Sequence, residues 1–404
     1  MQAHHTNVLK VVNPLSKKDQ VVEKFRSLFS SRPLVVKSPG RINLIGEHID
    51  YNGGSVLPAA IDKNIYVAAQ AGDGNTIRIF APDYNDLYET SISNIHPTSK
   101  TWVNYPLGVI YELKKMGADL SGIHMVVGGD LPPGAGLSSS AATTCATAFA
   151  LNEVFSLGLS RLEIAQVAQR AEQNFAGVEC GLMDQFASVF GKKDHVVKLN
   201  CRTNQHDYVP FYLEDVRIVL FDTEVKHQLA SSDYNLRRRE CKEGLDMLKL
   251  NCSDIIDLAD VTEEMLVKFV KPQNPVLYKR CLYVVQEMER VKKACLAINR
   301  NDFASLGQLM FDTHTGLSQL YEVSCTECDF LVDLARQHSG ILGARMMGGG
   351  FGGCTINLIE SARLEETIRL VRTKYKDRFG KSPNIYQVRI TNGTQLIDIE
   401  EASI

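Results

Sequence analysis

Gly128-Gly129-Asp130-Leu131-Pro132-Pro133-Gly134-Ala135-Gly136-Leu137-Ser138-Ser139-Ser140-Ala141-Ala142 is the stretch on which the fold turns. Residues 123–127 before it are a short apolar run with strand character. Residues 139–155 after it are rich in Ala and Leu, the composition of a helix. A glycine loop opening onto a helix lets the backbone approach a polyanion. Free amides at the helix start can then donate to phosphate oxygens, and the helix dipole adds a favourable field. Hydroxyls of the first turn could reach a metal ion or the phosphates themselves. The blander reading is a strand-to-helix loop with serines as N-caps, and the stretch alone does not separate the two. No Gly-x-x-x-x-Gly-Lys-Ser/Thr pattern occurs anywhere, so this is not a Walker-type loop.

Upstream, residues 34–37, 55–69, 76–80 and 87–92 read as strands, broken by the turn chemistry of Asn52-Gly53-Gly54 and Asp73-Gly74-Asn75. Residues 102–116 have helical periodicity, with Pro106 tolerable only near the first turn. Downstream, a helix is predicted over 161–175, capped by Ser160, and another opens after Gly181. A strand follows at 216–221, and residues 226–249 and 276–320 are mostly helical and rich in charge. The tail reads as extended at 344–346, strand at 355–359, helix at 364–375 and strand at 385–390. Strands and helices interleave in both halves, which predicts an α+β or α/β chain in two lobes, 1–210 and 211–404. There is no internal repeat.

Bulk properties narrow the function. The 404 residues are 44% hydrophobic and 23% charged, enough apolar material for two ordinary cores. Net charge is −3 and the pI about 6.4, so no chain-wide basic field favours nucleic acid or an anionic membrane. No run approaches the roughly 20 apolar residues of a membrane span, and residues 1–15 lack a signal peptide's apolar stretch. The expectation is a cytoplasmic protein. His4 and His5 lack partners at metal-ligand spacing. The ten cysteines read as reduced thiols. Cys325-Thr-Glu-Cys328 is a lone CxxC without the second pair that zinc would want; Ser324 and the apolar Phe330, Leu331 and Leu334 predict a helix start there.

Two more glycine-rich segments carry chemistry. Ser38-Pro39-Gly40-Arg41-Ile42-Asn43-Leu44-Ile45-Gly46-Glu47-His48-Ile49-Asp50-Tyr51-Asn52-Gly53-Gly54 concentrates Glu47, His48 and Asp50, which suits a polyhydroxylated ligand. Each buried group left unpaired costs about 1–3 kcal/mol, so such clusters discriminate stereochemistry. Arg41 could complement a carboxylate or phosphate. Gly343-Ala344-Arg345-Met346-Met347-Gly348-Gly349-Gly350-Phe351-Gly352-Gly353-Cys354 contains a Gly-x-Gly-x-x-Gly pattern, but it runs into a predicted strand rather than a helix, so a dehydrogenase reading fails. His-Arg-Asp and Asp-Phe-Gly are also absent, which removes the protein-kinase fold.

In order and spacing, the three segments resemble the family of galactokinase, homoserine kinase, mevalonate kinase and phosphomevalonate kinase. Residues 40–58 are very similar to its galactokinase signature. Supporting stretches are Trp102-Val-Asn-Tyr105, Cys180-Gly-Leu-Met-Asp184-Gln185 and Ser231-Ser-Asp-Tyr234-Asn-Leu-Arg-Arg-Arg239-Glu240-Cys241. The resemblance implies a two-lobed α+β GHMP-kinase fold, with an unusual left-handed βαβ crossover in the N-terminal lobe and the active site between lobes. It implies phosphorylation of the C1 hydroxyl of galactose by ATP with Mg²⁺, the first committed step of galactose catabolism (the Leloir pathway), by a monomer whose partners are small molecules.

Roles follow position by position. Asp184 matches the catalytic aspartate and Arg41 its partner. Glu47 and His48 match residues at the sugar's 6-hydroxyl end, Asp50 the contact to the 3- and 4-hydroxyls, and Gly181 and Tyr234 further sugar contacts. Gly134, Ala135, Gly136, Leu137, Ser138, Ser139 and Ser140 match the phosphate loop, and Trp102 and Tyr105 lie where the family approaches adenine. Ser140 and Glu172 match magnesium-associated positions. Glu179 departs from the pattern, being acidic where an uncharged residue is expected. A kinase for N-acetylgalactosamine is the nearest alternative; Cys180 and Leu182 are expected to narrow the pocket against its larger sugar. A non-catalytic galactose and ATP sensor is the other, disfavoured because the Ser-Ala pair of Leu137-Ser-Ser-Ser-Ala-Ala142 is complete.

Overall fold

Burial of both faces of the first strands determines how the N-terminal half is layered. β1 (Leu34–Asn43) and β3 (Pro58–Gly72) pair antiparallel, as do β3 and β6 (Gly122–Gly129), while β4 (Thr76–Ala81) lies parallel to β6 and antiparallel to β5 (Asp86–Ser91). Val35, Ala68, Phe80 and Val126 point to one face, where α1 (Lys17–Phe29) covers them with Val21, Val22 and Phe25. Their neighbours Val36, Val67, Ile79 and Met125 point to the other, into the main core beneath α2 (Thr101–Lys115), α3 (Ser139–Val154), α4 (Arg161–Ala171) and α5 (Met183–Phe190). The parallel β4/β6 pair is joined through β5 and α2, which is the crossover unit of this half.

The computed structural model describes residues 15–132, 134–178, 180–225 and 230–398, with backbone only at 230 and 231. Glu179, and the stretch carrying His4 and His5, lie outside them. A three-stranded sheet of β2 (Ser55–Val56), β7 (His195–Asn200) and β8 (His206–Pro210) closes the first half; the sequence reading passed over β7 and β8. The second half is an antiparallel sheet ordered β10 (Ile341–Met346), β11 (Cys354–Glu360), β9 (Val216–Asp222) and β12 (Asn384–Val388). One of its faces packs on α10 (Thr326–Arg336) and α11 (Leu364–Phe379) through Leu331, Val332, Val371 and Tyr375. The opposite face, with Ile218, Leu220, Ile356 and Leu358, merges into the main core. Helices α6 (Ala230–Lys249), α7 (Glu263–Phe269), α8 (Pro275–Asn299) and α9 (Phe303–Gly316) complete it. Finally β13 (Gln395–Leu396) crosses back and pairs with β1 in the first sheet.

Several boundaries differ from the sequence reading, each for a local reason. The helix expected over 276–320 breaks at 300–302, where Asn301 takes a left-handed φ of 53° and Asp302 caps α9 by accepting from Ser305 N at 3.0 Å. The helix expected over 161–175 becomes a π-helical turn at Glu172–Ala176. Ser160 does cap α4, in a full capping box with Glu163. Pro106 is the sixth residue of α2, inside the helix rather than in its first turn, and is buried; it removes the hydrogen bond that the Trp102 carbonyl would receive.

Candidate active site

A register shift in β1 aims the first functional side chain. Between Pro39 and Arg41 the β1/β3 ladder slips, and Gly40 sits at the irregularity. A Cβ on Gly40 would run into Leu131 and lie 2.7 Å from the Leu137 carbonyl oxygen, so only glycine lets β1 pass this close beneath the 134–140 loop. Arg41 N donates to that carbonyl at 3.2 Å, and Arg41 Nη1 donates to the Gly136 carbonyl at 2.6 Å. The rest of the guanidinium forms a two-point clamp on Asp184, in the first turn of α5: Nε to Oδ1 at 2.8 Å and Nη2 to Oδ2 at 2.9 Å. Burial works against the Arg41 charge, but Asp184, Glu47 and Asp50 outweigh it and its pKa is raised.

Ser138, matched to the phosphate loop, also serves the carboxylate side of the site. It occupies the N-cap position of α3 with a left-handed φ of 57°, and its hydroxyl makes no capping hydrogen bond. It donates instead to Asp184 Oδ2 at 2.6 Å. Oδ2 therefore accepts from two donors and Oδ1 from one. Of the remaining loop, Ser139 and Ser140 line the neighbouring cavity, Gly134 is exposed, and Ala135 and Leu137 are buried in the core, where they anchor the loop by packing.

Asp184 sits in the wall of a cavity of about 250 Å³, together with Arg41, Glu47, His48, Asp50, Gly181, Tyr234 and the Gly348–Gly350 turn. A second cavity of about 430 Å³ is lined by Tyr84, Trp102, Asp130, Ser139 and Thr143, among others. Tyr105 and Ser140 line both, so the two form one cleft with Asp184 near the join. Tyr84 and Trp102 stack at 6.0 Å between ring centroids, tilted by 17°, and make a flat wall suited to a planar heterocycle.

The acidic residues of the smaller cavity differ in surroundings. Glu47 is almost fully internal: Oε1 accepts from Arg345 Nη1 and Nη2 at 3.0 and 3.1 Å and from Gly348 N at 2.8 Å, and Oε2 accepts from Asn43 Nδ2 at 3.1 Å. Asp50 packs against Gly181, where a Cβ would collide with its carboxylate, and burial aided by the nearby Asp184 charge pushes its pKa up to about 7. His48 has a left-handed φ of 60°, and burial lowers its pKa to about 4. Its Nε2 lies 3.2 Å from the Gly349 carbonyl, which can only accept, so the neutral ring carries its proton there. Nδ1 then accepts from the Tyr51 hydroxyl at 2.7 Å, and Tyr51 accepts from Tyr321 at 2.9 Å.

Glu172 opens the π-helical turn that ends α4, a frequent device at functional sites. Its Oε1 accepts from Gln185 Nε2 at 2.6 Å and from Thr144 Oγ1 at 3.4 Å, and burial, opposed by the neighbouring Ser140 and Gln185, pushes its pKa up to about 7. A hydroxyl and a buried carboxylate, side by side where the two cavities meet, fit Mg²⁺, which takes few protein oxygens and keeps water and phosphate for the rest.

Sequence reasoning missed four participants. Arg345, fully buried, holds Glu47, the Leu44 and Asn43 carbonyls and the Met346 carbonyl at once. Its signal was present: a lone charge between the apolar strand residues Ala344 and Met346 must find a partner inside. Tyr84 and the Tyr51–Tyr321 pair carried no such sign. Leu182, expected to narrow the sugar pocket, lines an adjoining cavity instead, whereas Cys180 does line the smaller one.

Comparison with known proteins places this geometry. Residues 104–192 match the family profile "GHMP kinases N terminal domain", residues 293–377 "GHMP kinases C terminal", and residues 23–71 "Galactokinase galactose-binding signature". The galactokinase of Thermosipho africanus is 40% identical over 362 residues, covering 90% of this chain and 99% of that protein. That of Thermotoga maritima is 42% identical with the same coverage. Among solved structures, Lactococcus lactis galactokinase complexed with galactose superposes with a TM-score of 0.90 at 32% identity, covering 93% of this chain and 98% of that one. Methanococcus jannaschii mevalonate kinase, at 17% identity and a TM-score of 0.65, shares the fold.

Proposed function

Since the chain belongs to the galactokinases of the GHMP kinase family, ATP-dependent sugar kinases, we propose that it transfers the γ-phosphoryl group of ATP to the C1 hydroxyl of α-D-galactose, giving galactose 1-phosphate and ADP. The carrying observation is the Arg41–Asp184–Ser138 constellation at the join of the two cavities. Galactose occupies the smaller cavity and ATP the larger, its adenine beside Tyr84, Trp102 and Tyr105 and its phosphates at the 134–140 loop. The division at residue 210 is proposed as the line between the lobes; it falls at the end of β8, and β13 crosses it. A monomeric state is part of the same proposal.

Asp184 is assigned as the base. Oδ2 is already engaged by Arg41 and Ser138, so Oδ1 is the oxygen with capacity to take the C1 proton as the sugar oxygen attacks phosphorus. Arg41 positions the carboxylate and places positive charge beside the developing alkoxide. Glu47, His48, Asp50, Gly181 and Tyr234 hold the sugar so that C1 faces the phosphate loop. His48, neutral and donating to Gly349, also ties the sugar loop to the Gly348–Gly350 turn. Ser140 and Glu172 would hold Mg²⁺, which supplies charge neutralisation to the phosphate oxygens when bound. In phosphoryl transfer most of the acceleration comes from such positioning and electrostatics.

A positioned base contributes about 10²–10⁴-fold. Asp184→Asn is therefore expected to lower kcat by that factor while the KM for galactose changes little, measured by coupled ADP release. A variant of near-normal kcat removes Asp184 from the base role. The same assay with galactose, N-acetylgalactosamine and glucose distinguishes the sugar alternatives, and an absence of ADP with galactose and Mg-ATP would support a sensor.

A further inference from the structure

The CxxC pair at the start of α10 was left unused by the kinase reading. Cys325 occupies the N-cap position of this 11-residue helix, and Cys328 follows one turn in. The two thiols, one helical turn apart, perturb each other's ionisation: Cys325 is pushed down by Cys328, and Cys328 is pushed up by Cys325. Cys325 is half-buried and Cys328 fully buried, and all ten cysteines of the chain are free thiols. The N–H groups of Glu327 and Cys328 approach the Cys325 sulfur without closing a full capping bond. The Cys328 thiol also donates to the Gly352 carbonyl at 3.9 Å, and Phe351 N donates to the Val323 carbonyl at 2.7 Å, so the pair stands at the foot of the closing glycine loop.

We propose that Cys325 and Cys328 form a redox-active dithiol, which closes to a disulfide by exchange with a low-molecular-weight disulfide. The asymmetry supplies the order of events: the accessible sulfur attacks and the buried one resolves. A helix N-terminus and a neighbouring thiol favour the Cys325 thiolate, whose pKa is lowered first by Cys328. The Cys325 thiolate attacks one sulfur of the small disulfide, whose S–S bond breaks; one thiolate leaves and is protonated. Cys328 then loses its proton to solvent and attacks the Cys325 sulfur of the mixed disulfide, expelling the second small thiol. In balance, the protein gives up two electrons and two protons, and the small disulfide becomes two thiols. Closure also removes the proton that Cys328 donates to Gly352. Cys241 and Cys281 perturb each other as well, but both are buried on facing helices and offer no sulfur to an oxidant.

The test is to treat the native full-length protein with oxidised glutathione, block the remaining thiols and map the digested peptides by mass. The expected result is a peptide spanning Cys325 and Cys328 that has lost two hydrogens and escapes alkylation, formed before the half-buried Cys180, Cys201, Cys252 and Cys295 react. Cys328→Ser is expected to stop at one glutathione on Cys325, released by dithiothreitol. Two alkylated thiols in the treated native protein, a glutathione that stays on Cys325 of the unaltered chain, or closure only after denaturation would each overturn the proposal. Peptide mapping of the unaltered chain decides the question even if the variant does not fold.

Discussion

Gly181 and Ser138 illustrate how much of this site depends on single atoms. A Cβ at Gly181 would occupy the place of the Asp50 carboxylate. Gly181→Ala is therefore expected to raise the KM for galactose at least tenfold, leaving the KM for ATP nearly unchanged in steady-state assays of each substrate. Ser138 looked like a cap or a phosphate ligand, because its sequence neighbours are a loop and a helix; only folding brings it to Asp184, 46 residues further on. Buried ionisable groups give a pH signature. Glu172 keeps its proton up to about pH 7 in the folded chain, against an ordinary value of 4.5, so its contribution to stability is complete below pH 4.5 and is lost as pH rises through 7. His48 acts in the opposite sense, because its pKa falls to about 4: its contribution is present above its ordinary value of 6.5 and is lost as pH falls towards 4. Comparison with Glu172→Gln isolates the first effect. The ligand-free wild type should lose stability relative to that variant by about 1.4 kcal/mol per pH unit between pH 5 and 7, in denaturant titrations at each pH.

At the scale of elements, the site depends on departures from regular structure. The slip in β1 at Gly40 aims Arg41, the π-helical turn after α4 presents Glu172, and the left-handed turn at His48 directs its ring to Gly349. Periodicity finds strands and helices but not these interruptions, since each comes from contacts between segments far apart in the chain. Arg345 is the strongest such link: from β10 it binds the carbonyls just after β1 and the Glu47 carboxylate, joining the second sheet to the sugar loop. Arg345→Met would leave Glu47 buried without its partner, a loss of about 3–5 kcal/mol. Equilibrium urea unfolding should show a lower midpoint, and a change below 1 kcal/mol would mean that the Glu47 carboxylate is satisfied by Gly348 and Asn43 alone.

For the whole molecule, the return of the C-terminal segment to the first sheet is the long-range feature. Thr391 N, Gly393 N, Thr394 N and Ile397 N donate to the carbonyls of Ala60, Gly191, Ser188 and Val35, and the Thr394 hydroxyl bonds Ser38 inside the core. At about 1 kcal/mol each, these bonds approach the lower end of the 5–15 kcal/mol by which domains are stable. A chain ending at Val388 should consequently lose its cooperative thermal transition, measured by circular dichroism, although every residue of the cleft remains. The sequence alone determined the alternation of strands and helices, a two-lobed chain of α+β or α/β class that the family resemblance narrows to α+β, and the residue types of the cleft. Those depend on periodicity, turn chemistry and the order of three glycine-rich segments, all of them local. Tertiary structure alone decided that Ser138 serves Asp184, that Arg345 neutralises Glu47, and that two cavities share Tyr105 and Ser140. Hydrogen bonds and burial between distant segments depend on where the chain returns, and no local pattern carries that information.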